Sequence, residues 1–383
     1  MENNILYWLW FTDRCGVFNS DMNAVLEQFD TIEEVYNETE YKGVENVKPS
    51  TIKALKNKSL EKAEKILAAT TKVGAKVIVY DDVRYPDILR SLRNPPYVLY
   101  IKGEIMNWDR ILGIGIVGTR KSTDYGIQAT KMIAEDLAAC GVTIISGMAR
   151  GIDSVAAEAA LSKGNKTIAV LGCGIDVVYP KENKKLMDRI TENGAVISEY
   201  PPQTGPDKHN FPWRNRIISG LSRGILVSEA PKKSGALITA EYALEQGKDI
   251  FAVPGSIFKA ESEGANRLLA SGAKAVTSAK DILDEYVYEI ERLKLKKPSI
   301  VSKIFSKEKI NNEINISIDD KRFSGLSDED KKIISLLIEE NMHIDDIARK
   351  TGILAGELTI KLSMLEFSGH IQKIPGNNYK LNV

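Results

Sequence analysis

Several short stretches of the chain join glycine to a hydroxyl group or a cation. They are Gly118-Thr119-Arg120-Lys121-Ser122, Ser146-Gly147-Met148-Ala149-Arg150-Gly151, Gly172-Cys173-Gly174 leading to Tyr179-Pro180-Lys181, Lys232-Lys233-Ser234-Gly235, and Pro254-Gly255-Ser256. These residue types suit the binding of an anion. Glycine lets backbone N–H groups approach a negative charge, a helix start leaves N–H donors unpaired, and arginine offers a planar fork to phosphate. One such loop is ordinary turn geometry. Several at one edge, with Arg120, Arg150 and Lys181 among them, point to an anion site. Residues 211–221, FPWRNRIISGL, add two aromatic rings and two arginines at the start of an apolar helical run. Arg214 and Arg216 are assigned to phosphate or base contact. The alternative for them is a structural ion pair with Glu199 or Glu229.

Other chemistries lack their residues. Gly113-Ile114-Gly115-Ile116-Val117-Gly118 has the glycine spacing of a dinucleotide-binding turn, but its first two glycines fall inside an apolar strand. The next strand ends at Ser146-Gly147 with no acid to hold a ribose. No GxxxxGK[ST] stretch is present. Three histidines, His209, His343 and His370, leave little for a zinc site or a catalytic triad. Cys173 has no histidine near it in sequence to activate it. Asp153 and Asp176 follow glycine loops, where aspartate caps turns and helices, and are read as caps. Neither a cofactor nor a metal is expected.

The elements that must position these loops follow from hydrophobic periodicity. The apolar runs ILGIGIVG, VTIISG, TIAVLG, AVISE, GILVSE and DIFAVPG alternate with helical patterns such as YGIQATKMIAEDLAACG, GIDSVAAEAALSKG and SGALITAEYALEQG. Continuous apolar strands alternating with helices predict an α/β fold, a doubly wound parallel sheet buried on both faces. Ligands of such sheets bind at the carboxyl ends of the strands, where the glycine loops fall. This domain is placed at residues 75–286. Residues 1–70 carry apolar residues at helical spacing and predict a helical N-terminal domain. Residues 287–324 are polar and charged without a clean period and read as a linker. Residues 325–383 predict three helices, the first capped by Ser327, and a hairpin around Gly376-Asn377-Asn378, the outline of a winged helix.

Bulk composition narrows the partners. Lysine plus arginine and aspartate plus glutamate balance at 52 each, so any polyanion site must be a local cluster. The start, MENNILYWLWF, has no basic leader, and no apolar run reaches the ~18 residues of a membrane span. The three cysteines have no paired spacing. A cytoplasmic protein without disulfides or membrane contact is expected.

VGTRKSTDYG, SGMARGIDSVAAEAAL, LGCGIDVVYPKEN, FPWRNRIISGLS, SGALITAEYAL and FAVPG, in that order and spacing over residues 80–277, resemble the DNA-processing protein family, DprA, also called Smf. The resemblance implies an extended Rossmann fold that forms a homodimer. It implies a protein that binds and protects incoming single-stranded DNA and loads RecA onto it in natural transformation, without catalysis. The positions expected to touch DNA are Gly118, Thr119, Arg120, Ser122, Ser146, Gly147, Arg150, Gly172, Gly174, Lys181, Phe211, Arg214, Asn215, Arg216, Ser234, Gly235 and Thr239. There are departures. Ala157 stands where the family usually has a histidine. RCGVFNS has only Gly16 where many members carry a two-glycine hairpin. Residues 325–383 hold seven basic and nine acidic residues, and the expected recognition helix has only Lys361 as a cation. A protein contact is therefore expected of the winged helix in preference to duplex binding.

Two competing functions use the same edge. The fold also resembles that of the LOG-type nucleotide phosphoribohydrolases, whose motif places a glutamate three residues after a threonine. Here SGALITAEY keeps Thr239 but puts Tyr242 at that position and Glu241 one short of it, a turn of ~100° on a helix. The other is a nucleotide-binding sensor, which would prefer mononucleotide to oligonucleotide.

Overall fold

The computed structural model describes residues 2–18, 20–295, 323, 325–339, 341–374 and 377–382. They form two compact units, 1–279 and 280–383.

In the first unit, five short helices, α1 (Glu2–Cys15), α2 (Asp21–Leu26), α3 (Ile32–Asn37), α4 (Pro49–Leu55) and α5 (Glu61–Lys72), precede a nine-stranded sheet. The strands are β1 (Lys76–Val79), β2 (Val98–Gly103), β3 (Gly113–Val117), β4 (Thr143–Ser146), β5 (Thr167–Leu171), β6 (Gly194–Ser198), β7 (Gly224–Val227), β8 (Asp249–Ala252) and β9 (Lys274–Ala275). Their order is β1-β2-β6-β5-β4-β3-β7-β8-β9. From β6 to β9 all pairs are parallel, while β1 and β2 extend the β6 edge antiparallel. Strands β3 to β7 are buried along their whole length, as continuous apolar runs require.

The helical segment was expected to stand as a domain apart from the sheet. It instead shares a core with it. The aromatic run of α1, Trp8, Trp10 and Phe11, is buried with Val77, Tyr97 and Leu171. Trp8 stacks on Tyr97 with ring centroids 5.5 Å apart. Large aromatic rings on a short helix bury enough area only against a second layer, and the β1–β2 extension supplies it. Gly16, at φ +76°, ends α1 through its N–H to the Thr12 carbonyl (2.8 Å), the work of a helix C-cap.

The strand order reverses between β3 and β7. The chain leaves β6 on one side and reaches β7 on the other through the helix Asn210–Leu221. This helix starts at the carboxyl edge, with Phe211 against Gly172 beyond β5, and ends at the amino edge, with Leu221 beside Gly113 of β3. The switch point, the place where such sheets take ligands, is thus flanked by the start of FPWRNRIISGL.

The second unit contains the expected helices, Asp328–Glu339, Ile344–Thr351 and Ala355–Phe367. A three-stranded sheet, β10 (Met342–His343), β11 (Ile371–Ile374) and β12 (Asn378–Leu381), completes the winged helix. Ser327 caps its first helix, accepting from the Asp330 N–H at 3.2 Å. Of the expected linker, residues 287–292 are helical, and residues 296–322 lie outside the described residues, as does Gly376 of the hairpin.

Candidate nucleic-acid interface

Helix Asp124–Ala139 begins at the switch point, where a nucleotide-binding fold would set phosphate on the unpaired N–H groups. A carboxylate of the chain itself fills this place. Glu229, buried after β7, accepts from the Thr123 N–H (2.8 Å) and from the Thr123 hydroxyl (2.6 Å). Gly126 is required for the approach, since a Cβ there would lie 2.3 Å from the Glu229 carboxylate. Thr123 in turn caps the helix at the Gly126 N–H. A second anion at this helix start would meet Glu229.

The arginines of FPWRNR are turned inward. Arg216 forms a two-pronged pair with Glu199, Nη1 to Oε2 at 2.9 Å and Nη2 to Oε1 at 2.5 Å. Both side chains are buried, Arg216 donates further to the Asn94 carbonyl, and its guanidinium lies 4.4 Å from the Trp213 ring. Burial pushes the Glu199 carboxyl up, and Arg216 pulls it down. The assignment of Arg216 to phosphate is therefore corrected: its guanidinium is buried and engaged by Glu199, the ion pair named as the alternative, and by backbone carbonyls. Arg214 is also buried. Its Nη1 donates to the carbonyls of Gly147 (3.0 Å) and Val170, and its Nε to Asn215 Oδ1. Asp153 borders the same side of Gly147, its carboxylate and the Arg214 guanidinium both within 3 Å of where a Cβ would lie, and it accepts from the Gly147 N–H (3.1 Å). Arg214 thus ties the ends of β4 and β5 together from within, and its assignment to phosphate is corrected likewise. Asn215 holds the Gly235 carbonyl at 3.1 Å.

The glycines tell the same story. A Cβ on Gly118 would meet Ile152 at 2.5 Å, on Gly147 the Arg214 guanidinium at 2.6 Å, on Gly172 the Phe211 ring at 2.7 Å, and on Gly174 the Pro201 carbonyl at 2.7 Å. Their close approach is to the protein's own atoms, not to an open anion cradle. Gly235 differs, with open space where its Cβ would be. Ser146 is buried and donates to the Ile116 carbonyl (2.7 Å), and Thr239 is buried within helix Gly235–Glu245. Ser234 caps that helix at the Ala236 N–H. Asp176 accepts from the Gln203 N–H (2.8 Å), so both aspartates hold turns, as expected. Cys173 is buried, and burial pushes its thiol up to about 11, away from a nucleophilic thiolate.

What faces outward is a different set. The Arg120 guanidinium lies 5.2 Å from the Phe211 ring, and Phe211 meets Tyr179 with centroids 5.2 Å apart. Arg120, Tyr179 and Lys181 are exposed, Phe211 and Ser122 are half-buried, and Thr119 is buried. Among the described residues no carboxylate pairs with Arg120 or Lys181. Exposed Arg150, after β4, pairs with Glu182 of the loop after β5, and Lys232 reaches Glu263 at 3.5 Å. The sequence reading left Tyr179 out of the site. Its signal was present, an aromatic ring two residues before Lys181 in a glycine-led loop. The arrangement is a stacking surface with cations at its rim, suited to unpaired bases and a phosphate backbone.

In the winged helix, Lys361 is bound to its own unit, 3.0 Å from Glu329 and 3.6 Å from Asp330. Among the described residues no cluster of histidine, cysteine, aspartate and glutamate could hold a metal, and no helix is long and apolar enough to cross a membrane.

Residues 76–287 match the family model of DNA recombination-mediator protein A, and residues 323–377 match the DprA winged helix domain. The chain is 43% identical over 235 residues to DNA processing protein DprA of Bacillus subtilis, covering 61% of this chain and 79% of that protein. It is 35% identical over 323 residues to Protein Smf of Synechocystis, covering 78% of each. The X-ray structure of DprA from Streptococcus pneumoniae superposes with a TM-score of 0.65 at 35% identity, over 73% of this chain and 97% of that one. DNA processing protein A from Helicobacter pylori, described for its single-stranded DNA binding mode, gives a TM-score of 0.51 at 33% identity, over 56% of this chain and 96% of that one. The chain belongs to the DprA family.

Proposed function

We propose that this member of the DprA family binds single-stranded DNA across the Arg120–Phe211–Tyr179 surface and acts as a DNA-processing protein in transformation and recombination. The observation that carries the reading is the stack itself: an exposed guanidinium over a half-buried ring that abuts a second, exposed ring. Bases stack on the rings, and Arg120 and Lys181 take the backbone, with Lys121 and Lys233 extending the cationic rim. The protein acts by binding and not by chemistry. Glu229 occupies the helix start that a nucleotide phosphate would need, and the buried Cys173 thiol is no nucleophile. Binding as a homodimer through the Rossmann domain and delivery of the strand to RecA complete the proposed role in the cytoplasm.

The test is fluorescence anisotropy of a labelled oligo-dT with wild type and with Arg120→Ala/Lys181→Ala, at two salt concentrations. Wild type is expected to bind more weakly at high salt, and the double variant to lose about one and a half units of the salt slope. Tight binding of a mononucleotide, with none of the oligonucleotide, would replace this reading with a nucleotide sensor.

A further inference from the structure

One glycine loop of the carboxyl edge, Pro254-Gly255-Ser256 after β8, takes no part in the surface around Arg120. It is not an anion cradle, since a Cβ on Gly255 would lie 2.2 Å from the Ser262 hydroxyl. It is a firmly held turn. Asn266 grips Gly255 on both sides, accepting from its N–H at 3.1 Å and donating to its carbonyl at 3.0 Å. The Tyr125 hydroxyl, from the first turn of helix Asp124–Ala139, donates to the Pro254 carbonyl at 2.6 Å. Ser256 closes the turn, its hydroxyl accepting from the Phe258 N–H at 3.3 Å and its carbonyl from the Lys259 N–H at 3.1 Å. The turn holds Ile257 and Phe258 out in solvent, 83% and 90% exposed, with Tyr125 at its base 52% exposed. One exposed apolar residue is ordinary. A hydrogen-bonded turn that keeps an isoleucine and a ring together in water marks a contact.

Continuity and charge identify what covers it. Strands β3, β7 and β8 are parallel neighbours, so the turn stands on the same edge as the Arg120 loop, two strands along. Lys121 after β3, Lys233 after β7 and Lys259 in the turn itself are exposed, and among the described residues no carboxylate pairs with them. Of the acids in these loops, Glu229 is turned into the helix start and Glu263 is held by Lys232, which leaves Asp124 and the half-buried Glu261. Unpaired lysines between two groups of exposed rings fit a ligand with an anionic backbone and planar apolar faces, which is a single strand of nucleic acid. We propose that Phe258, with Ile257 and Tyr125, is a second stacking station for single-stranded DNA. The strand runs along the carboxyl edge from the Tyr179 and Phe211 rings, over the lysines, to the turn after β8. This rests on the DNA-binding reading above and extends it. β5 and β8 stand four strand spacings apart, roughly 19 Å, a span of several nucleotides.

The experiment titrates the full chain against oligo-dT of about sixteen nucleotides, read by anisotropy of the labelled strand and by tryptophan fluorescence. Because Phe258 is exposed, its variants are expected to keep the fold by circular dichroism. Phe258→Ala is expected to weaken binding at least about fivefold, with the salt slope of wild type, since a ring and no charge is removed. Phe258→Leu, which keeps apolar area without a ring, is expected to weaken it as well. Phe258→Trp is expected to keep the affinity and to add a quenching of fluorescence on binding beyond that of wild type, because a base stacks on the new indole. Affinity unchanged in Phe258→Ala or fully restored in Phe258→Leu, or no added quenching in Phe258→Trp, overturns the second station while wild-type binding keeps the DNA reading standing. No binding of oligo-dT by wild type overturns that reading and this proposal together.

Discussion

Arg216 and Arg120 each place a guanidinium on a ring at the start of the same helix, and they end in opposite roles. Arg216 lies 4.4 Å from Trp213, buried against Glu199, and is part of the core. Arg120 lies 5.2 Å from Phe211 with its outer side open to solvent. The residue type is the same, and each has an aromatic ring of that helix as its partner. The difference is whether a carboxylate has been folded against the cation. A paired, buried guanidinium is closed to a ligand, and an exposed one is held in place by its ring and still has its fork to offer.

The largest effect that would break this comparison belongs to Arg216. Arg216→Ala leaves Glu199 buried without a partner and is expected to destabilise the fold by about 3–5 kcal/mol, read by urea unfolding. The deficit should depend on pH. Burial already raises the Glu199 carboxyl, so its stability contribution is present at acid pH and is lost as pH rises through its raised folded value. Removing Arg216 removes the opposing pull, so the deficit is expected to be smaller at mildly acid pH than at neutral pH. A deficit that does not change with pH, or no deficit, would put Arg216 back on the surface. Gly147→Ala comes next. Its Cβ would press on Arg214 and Asp153, and a loss of about 1–3 kcal/mol is expected in the same unfolding measurement, with DNA affinity per folded molecule little changed.

Phe211→Ala tests the outward half. About 1–3 kcal/mol of oligo-dT affinity is expected to be lost, with a salt slope close to that of wild type, because stacking and not charge is removed. A lost slope with retained affinity would mean that the ring only props Arg120. The smallest effect is expected at Gly235, where a Cβ meets open space. Gly235→Ala should leave stability within about 0.5 kcal/mol of wild type. Any loss of DNA affinity in this variant would then locate the strand against that loop, the one glycine position of the predicted set that the protein's own atoms leave free.

The parallel sheet, the loops at its carboxyl edge and the winged helix were all legible in the sequence. Strands such as GIGIV are buried on both faces and so appear as unbroken apolar runs, a local pattern. The glycine loops were found for the right place and partly for the wrong cause. Gly118, Gly147, Gly172 and Gly174 are close-packing positions, and a glycine required by a neighbouring side chain looks in sequence like one required by a phosphate. The separation of the N-terminal helices from the sheet failed for a related reason. Trp8 and Tyr97 are far apart in the chain, and nothing local announces that they stack.

By itself the sequence determined which elements form and which loops share an edge, because periodicity, caps and breakers act over a few residues. Only the tertiary structure decided which cations of that edge remain free. That choice rests on partners distant in sequence: Glu199 lies 17 residues from Arg216, and Glu229 lies 106 residues from Thr123. Electrostatic pairing depends on distance and burial in space, and neither quantity exists until the chain has folded.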